Sequence, residues 1–236
     1  SRVNTLGTLS VLNAVRRAHS RFIQMSTSEV YGTAQRIPMD EEHPVSPQSP
    51  YAASKVAADA FCASYRLAFG MDIRIARPFN TYGPRQGVRS VIPNVVAQVL
   101  RQRGHVPLPA KVRVGTLWAT RDFTYVEDTA RALVALAETE VVEAEVNPYN
   151  IGSGREITIR DLVALCGDVL GVEVEAVLDD DYVRPVQSEV QRLCADARRL
   201  RKLVGWEPTV SLVEGIRRVA AWLEPRLGTV REGRVT

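Results

Sequence analysis

Between Leu6 and Pro78 the sequence alternates between two periods, and that alternation limits the folds open to it. Leu6, Leu9, Val11, Leu12 and Val15 recur at helical spacing. Phe22 to Met25 is a short apolar run of the kind found in strands buried on both faces. Ser49 and Pro50 mark the start of a second helix, a hydroxyl cap before a proline at the first helical position, and this helix runs to about Phe69. A second strand is expected over 71–78. Further on, 90–103, 127–138, 158–170, 196–204 and 212–223 read as helices, 121–126 and 172–178 as strands, and 149–154 as a short strand with a turn. Phe79-Asn80-Thr81-Tyr82-Gly83-Pro84-Arg85 reads as a loop of turn formers. Strands alternating with helices predict an α/β fold on a parallel sheet.

Composition narrows the partners. With 30 basic and 27 acidic residues the net charge is +3, which gives no case for nucleic acid. No apolar run reaches membrane-spanning length. Cys62, Cys166 and Cys194 are far apart and form no C-x-x-C pair, so they read as reduced thiols of a cytoplasmic protein and not as a disulfide framework or zinc site. His19, His43 and His105 are equally scattered, and no metal is expected.

Two short stretches carry chemistry. The first strand ends in Ser26-Thr27-Ser28-Glu29, three hydroxyls and a carboxylate. In an open parallel sheet ligands sit beyond the carboxyl ends of the strands, so this cluster is either a site or a turn of small polar residues. In the second, Tyr51 and Lys55 lie four residues apart near a helix start, hence on one face. A phenol has a pKa near ~10 and a neighbouring cation lowers it, so the pair is either a tuned base or a packed tyrosine beside a solvated lysine.

The combination says more than either part. Ser26-Thr27-Ser28-Glu29-Val30-Tyr31-Gly32, then Pro50-Tyr51-x-x-x-Lys55, then Arg77-Pro78-Phe79-Asn80-x-Tyr82-Gly83-Pro84-Arg85, then Arg121-Asp122-Phe123-x-Tyr125-Val126 follow in order. The set resembles the extended short-chain dehydrogenase/reductase family of nucleotide-sugar epimerases, dehydratases and decarboxylases, over residues 4–222. The resemblance implies a Rossmann-like sheet with a smaller carboxyl-terminal substrate-binding domain. Residues 1–80 would be part of the NAD-binding unit. Residues 81–236 would mainly bind the nucleotide sugar, with segments around 121–150 returning to the first sheet. It implies Tyr51 as the base, Lys55 as the residue that holds the nicotinamide ribose, and Thr27 as a partner of the same sugar oxygen. Ser26, Pro78 and Asn4 would also face the cofactor, NAD rather than NADP. Asn80, Arg85, Arg121 and Arg184 would hold the nucleotide-diphosphate sugar, surface ion pairing being the alternative for Arg121 and Arg184. Asn4 and Gly7 match the family's Asn-x-x-Gly helix, which with the Tyr51 helix implies a homodimer through residues 4–18 and 51–69.

Thr27-Ser28-Glu29 also bears on the reaction. Many 4,6-dehydratases of the family carry Thr-Asp-Glu at this strand end, the Asp as acid and the Glu as C5 base. Thr-Ser-Glu is similar to the UDP-glucuronate decarboxylases, and C4-epimerases usually lack the Glu. Together with Gly83-Pro84-Arg85-Gln86 and Arg184-Pro185-x-x-Ser188-Glu189, the set looks most like the 4,6-dehydratases of the legionaminic acid pathway, acting on a nucleotide-activated N-acetylglucosamine. If Thr27 and Glu29 lie in an extended segment, they point to one face. The family opens with a strand, a G-x-x-G-x-x-G turn and a helix that holds the pyrophosphate, and no such stretch occurs here. The chain taken alone is therefore expected to bind NAD weakly or not at all and to be inactive, and a non-catalytic binding or dimerisation module is the alternative of another class.

Overall fold

The computed structural model describes residues 2–104, 109–140, 148–182 and 190–227. Helix α1 (Arg2–Ala18) leads into strand β1 (Phe22–Met25), and helix α2 (Pro50–Phe69) into strand β2 (Ile73–Pro78). Helix α2 starts where its sequence says it should: Ser49 Oγ accepts from the Ala52 amide at 3.1 Å. It stops at Gly70, which has a φ of 63°. Strand β6 (Pro148–Ile151) joins β1 and β2 in a parallel sheet of order β1-β2-β6.

The alternation of β2 shows how this sheet is covered. Ile73 and Ile75 pack in one cluster with Leu12 of α1 and Cys62 of α2. Ala76 packs on the opposite side with Ala132 and Leu136 of helix α4 (Val126–Glu138), and with Leu200 of helix α6 (Arg198–Val204). Arg74 points the same way and donates to the Leu136 carbonyl at the carboxyl end of α4, where a cation suits the helix dipole.

The other unit is built on strand β5 (Thr120–Tyr125), which pairs in parallel with β3 (Asn80–Tyr82) and antiparallel with β7 (Glu156–Thr158). Strands β4 (Ala110–Val114) and β8 (Val174–Leu178) form a parallel pair. Helices α3 (Val91–Gln102), α5 (Ile159–Leu170) and α7 (Leu212–Leu223) close a core that includes Ile92, Val96, Leu162, Ile216 and Leu223. The segment read as a loop of turn formers is thus a strand in part: Asn80, Thr81 and Tyr82 pair with Phe123, Thr124 and Tyr125. Cross-strand bonding to β5 overrides the local turn signals. Strands β4 and β7, short and bounded by Pro109 and Gly154, were also not anticipated. Among the described residues no helix is long and apolar enough to cross a membrane.

The chain crosses between the two units at Phe79 and again at Gly152. The crossings lie side by side, with the Phe79 amide donating to the Ile151 carbonyl at 2.8 Å. A Cβ on Gly152 would fall 2.2 Å from that of Ala195, so only glycine fits. Asp122 of β5 locks the spot. Its buried carboxylate accepts from Ser153 N at 2.9 Å, Ser153 Oγ at 2.5 Å, Gly154 N at 2.9 Å and Ala195 N at 3.0 Å. Asp122→Asn keeps the shape but turns an N–H₂ group toward backbone N–H donors. It should lower the unfolding free energy by about 2–4 kcal/mol, read from the urea midpoint. A midpoint unchanged within error would mean that this carboxylate does not hold the crossing.

Candidate active site

Beyond β1 the backbone turns sharply. Thr27 is extended, with a φ of −161°, and its hydroxyl accepts from the Glu29 amide at 3.2 Å, capping a 3-10 turn over Ser28–Tyr31. Thr27 and Glu29 therefore share a site through a capped helical turn and not through the alternation of an extended segment. A threonine at a helix start satisfies an amide that a strand would not provide. Gly32 ends the turn, and a Cβ there would sit 2.3 Å from the Ser46 carbonyl.

A buried polar chain supports this turn from below. Ser26 Oγ donates to Asp59 of α2 at 2.9 Å. Arg77 of β2 holds the same carboxylate oxygen at 3.1 Å and reaches the Tyr31 hydroxyl at 3.0 Å. Tyr31 in turn donates to Asn150 Oδ1 of β6 at 2.8 Å.

Helix α2 brings Tyr51 and Lys55 to the turn. Lys55 Nζ donates to the Met25 carbonyl at 2.8 Å and lies 6.0 Å from the Tyr51 ring centroid. The Tyr51 phenol is held above its ordinary pKa, chiefly by burial and next by the Glu29 carboxylate, while a hydrogen bond to Thr27 pulls the other way. The downward pull expected from Lys55 is not seen. Its ammonium is drawn to the strand-end carbonyl, and the charge that acts on the phenol is the carboxylate's.

Two cavities meet here. One, of about 610 Å³, is lined by Ser26, Thr27, Ser28, Glu29, Tyr51 and Pro78, among others. The second, of about 350 Å³, is lined by Arg89, Arg113, Arg121 and Tyr182. Glu29, Asn80, Thr81, Gln86 and Ser90 line both. Among the described residues Glu29 is the one carboxylate lining the second cavity, against three guanidiniums, a balance that suits an anion. The fold thus brings Ser26, Thr27, Ser28, Glu29, Tyr51, Pro78, Asn80 and Arg121 to these cavities, with Lys55 at their edge. Arg85 is exposed and lines neither. Asn4 donates to Ser54 Oγ at 2.9 Å, joining α1 to α2. Arg184 lies outside the described residues. Arg89, Arg113 and Gln86 were missed by the sequence reading. Arg113 stands on an alternating strand with Ala110, Val112 and Val114 buried, a pattern that could have exposed it.

The residues present fit the nicotinamide-ribose end of a dinucleotide. Lys55 spends one of its N–H donors on Met25 and keeps two for hydroxyls. Thr27, Tyr51 and Pro78 line the cavity at the carboxyl end of the parallel strands, where such ligands bind.

The chain resembles known proteins over most of its length. A family profile described as GDP-mannose 4,6 dehydratase matches residues 1–219. The chain is 32% identical over 229 residues to the GDP-6-deoxy-D-mannose reductase of Pseudomonas aeruginosa, covering 95% of this chain and 73% of that protein. It is 33% identical over 223 residues to the dTDP-glucose 4,6-dehydratase of Streptomyces griseus, covering 94% of this chain and 64% of the relative. With UDP-glucuronic acid decarboxylase 1 of Xenopus tropicalis it shares 32% identity over 233 residues, 96% of this chain and 52% of the relative. Among solved structures, RMD from Pseudomonas aeruginosa complexed with NADPH matches with a TM-score of 0.84 and 32% identity, over 95% of this chain and 74% of that one. UDP-glucuronic acid 4-epimerase from Bacillus cereus, in complex with UDP-glucuronic acid and NAD, matches with a TM-score of 0.81 and 27% identity, over 94% and 67%.

The electrostatics of the site give a direct test. Because the Glu29 charge raises the phenol pKa, Glu29→Gln should lower it. The ultraviolet tyrosinate titration of this variant, with Tyr51→Phe subtracted to isolate the residue, should shift to lower pH. An unchanged curve would separate the two side chains.

Proposed function

The chain belongs to the GDP-mannose 4,6 dehydratase family, and on that premise we propose that it is the part of an NAD-dependent nucleotide-sugar 4,6-dehydratase that binds the substrate and carries the acid–base residues, with a nucleotide-activated N-acetylglucosamine as substrate. The observation that carries this reading is Glu29, whose carboxylate lines both cavities and acts on the Tyr51 phenol. An epimerisation at C4 has no use for a second base there. The reading also makes the protein a cytoplasmic homodimer, supported by its three buried free thiols. Exposed Val3, Leu6, Val11, Leu67 and Phe69 on α1 and α2 support the dimer. A monomeric mass in analytical ultracentrifugation would contradict that part.

Held beside Lys55, Thr27, Tyr51 and Pro78, NAD would supply a hydride acceptor for C4 of the sugar and a hydride donor for C6. The protein handles the protons. Tyr51 takes the C4 hydroxyl proton in its phenolate form, which the raised pKa makes the minor one, and Thr27 holds the same oxygen. A ketone at C4 acidifies the C5 hydrogen, which Glu29 removes. Tyr51, now a neutral phenol, supplies the proton with which the C6 oxygen leaves as water, a role that Ser28, a hydroxyl in place of a carboxylic acid, does not fill. Glu29 then returns its proton to C5. The sum is loss of one water with no net change in the cofactor. Arg89, Arg113 and Arg121 hold the diphosphate in the smaller cavity.

Turnover of a UDP-, dTDP- or GDP-linked N-acetylglucosamine by the whole enzyme of which this chain is proposed to be a part, followed by mass spectrometry, checks the reaction. The product should be lighter by one water, and Glu29→Gln should abolish it. A product of unchanged mass would favour epimerisation, and loss of carbon dioxide from a uronic acid substrate would favour decarboxylation. Tyr51→Phe should slow turnover by about 10²–10⁴-fold, the worth of a general base. Near-normal turnover would leave Tyr51 a packing residue.

A further inference from the structure

Gln86 lies where the two cavities join, and its side chain is held in one orientation by the backbone. Its Nε2 donates to the Thr81 carbonyl at 3.0 Å. A carbonyl can only accept, so the amide cannot be flipped without setting two acceptors face to face. That leaves Oε1 turned the other way, buried and with no hydrogen-bond partner among the described residues. Asn80 Oδ1, lining the same two cavities, is buried and unpartnered as well.

The backbone pays to put Gln86 there. Arg85, just before it, has a φ of 69°, in the left-handed region that non-glycine residues rarely occupy. The Gln86 amide closes the turn on the Gly83 carbonyl at 3.3 Å. Gly83 itself has no room for a side chain, since a Cβ would sit 2.4 Å from Val126 Cγ1. The turn thus folds the Gln86 side chain back onto β3 between the cavities while leaving Arg85 exposed.

We propose that Gln86 is a specificity-determining residue, its Oε1 accepting a hydrogen bond from an O–H or N–H of the hexose where the sugar passes from the diphosphate cavity to Tyr51. This rests on the reading that the two cavities hold one nucleotide sugar. The unpartnered acceptor demands a donor and discriminates against an analogue that lacks it, because a buried acceptor left empty is costly. Neither the diphosphate, which offers only acceptors, nor the base, which lies beyond it, satisfies this atom.

The test separates the sugar from the nucleotide. UDP, dTDP and GDP, and their N-acetylglucosamine conjugates, are titrated calorimetrically into the protein and into Gln86→Leu, using the base that binds best. The nucleoside diphosphate should bind both proteins alike, and the sugar conjugate should bind the variant about three- to tenfold more weakly, the worth of one neutral hydrogen bond. Equal loss for both ligands, or no loss for the conjugate, overturns the proposal while leaving the functional reading in place. Absence of binding by any nucleoside diphosphate overturns both. Should the variant fail to fold, the same unmodified protein is titrated with conjugates lacking single sugar donors. One of them should lose a similar factor, and none doing so contradicts the proposal.

Discussion

The buried guanidinium of Arg77 holds the candidate-site end of the molecule in register. It stands on β2, binds Asp59 of α2 and the hydroxyl of Tyr31 in the 3-10 turn, and through Tyr31 reaches Asn150 of β6. Arg77 is 8% exposed and Asp59 6%. Charges so far from water persist only when paired and hydrogen-bonded, and here the pairing is shared among three elements. Ser26, at the carboxyl end of β1, donates to the same Asp59 oxygen. The helix that carries Tyr51 and the turn that carries Thr27 and Glu29 are thus fastened to one ion pair, which fixes the distance between the phenol and the carboxylate.

Asp122 plays a comparable part where the chain passes from one unit to the other. Four donors on one carboxylate hold the Gly152 crossing against the Phe79 crossing. Phe79 is followed by Asn80, and Asn80 lines both cavities. The site is therefore a seam. One side is made from strand ends of the first sheet, the other from α3, β4 and β5, and two residues along the join, Asn80 and Gln86, have acceptors left over. A ligand that fills the seam needs an anionic end, for the three arginines, and donor groups in the middle.

Much of this was legible in the sequence. The α2 start was announced by Ser49 and Pro50, and α7 ends where its apolar period ends at Leu223. Thr27, Glu29 and Tyr51 could be picked out because each stands at a strand end or helix start that local pattern reveals, whereas Asn80 came from the family resemblance. Strand β3 was not legible, because the partners of Asn80–Tyr82 on β5 lie 43 residues further along the chain and the local sequence reads as turn. The raised Tyr51 pKa was hidden for a related reason. Helical spacing brings Lys55 to the same face, but the Met25 carbonyl that captures its ammonium belongs to another element. Arg113 and Gln86 come from separate segments, and nothing short of the fold says that they share a cavity wall.

The proposed reaction moves hydrogen from C4 to C6 of one sugar while Glu29 exchanges the proton at C5. A nucleotide-linked N-acetylglucosamine deuterated at C4, turned over in ordinary water by the whole enzyme, follows that hydrogen. The label should appear in the C6 methyl group of the dehydrated product. Label retained at C4 of an isomer, or lost into released reduced cofactor, would contradict the claim.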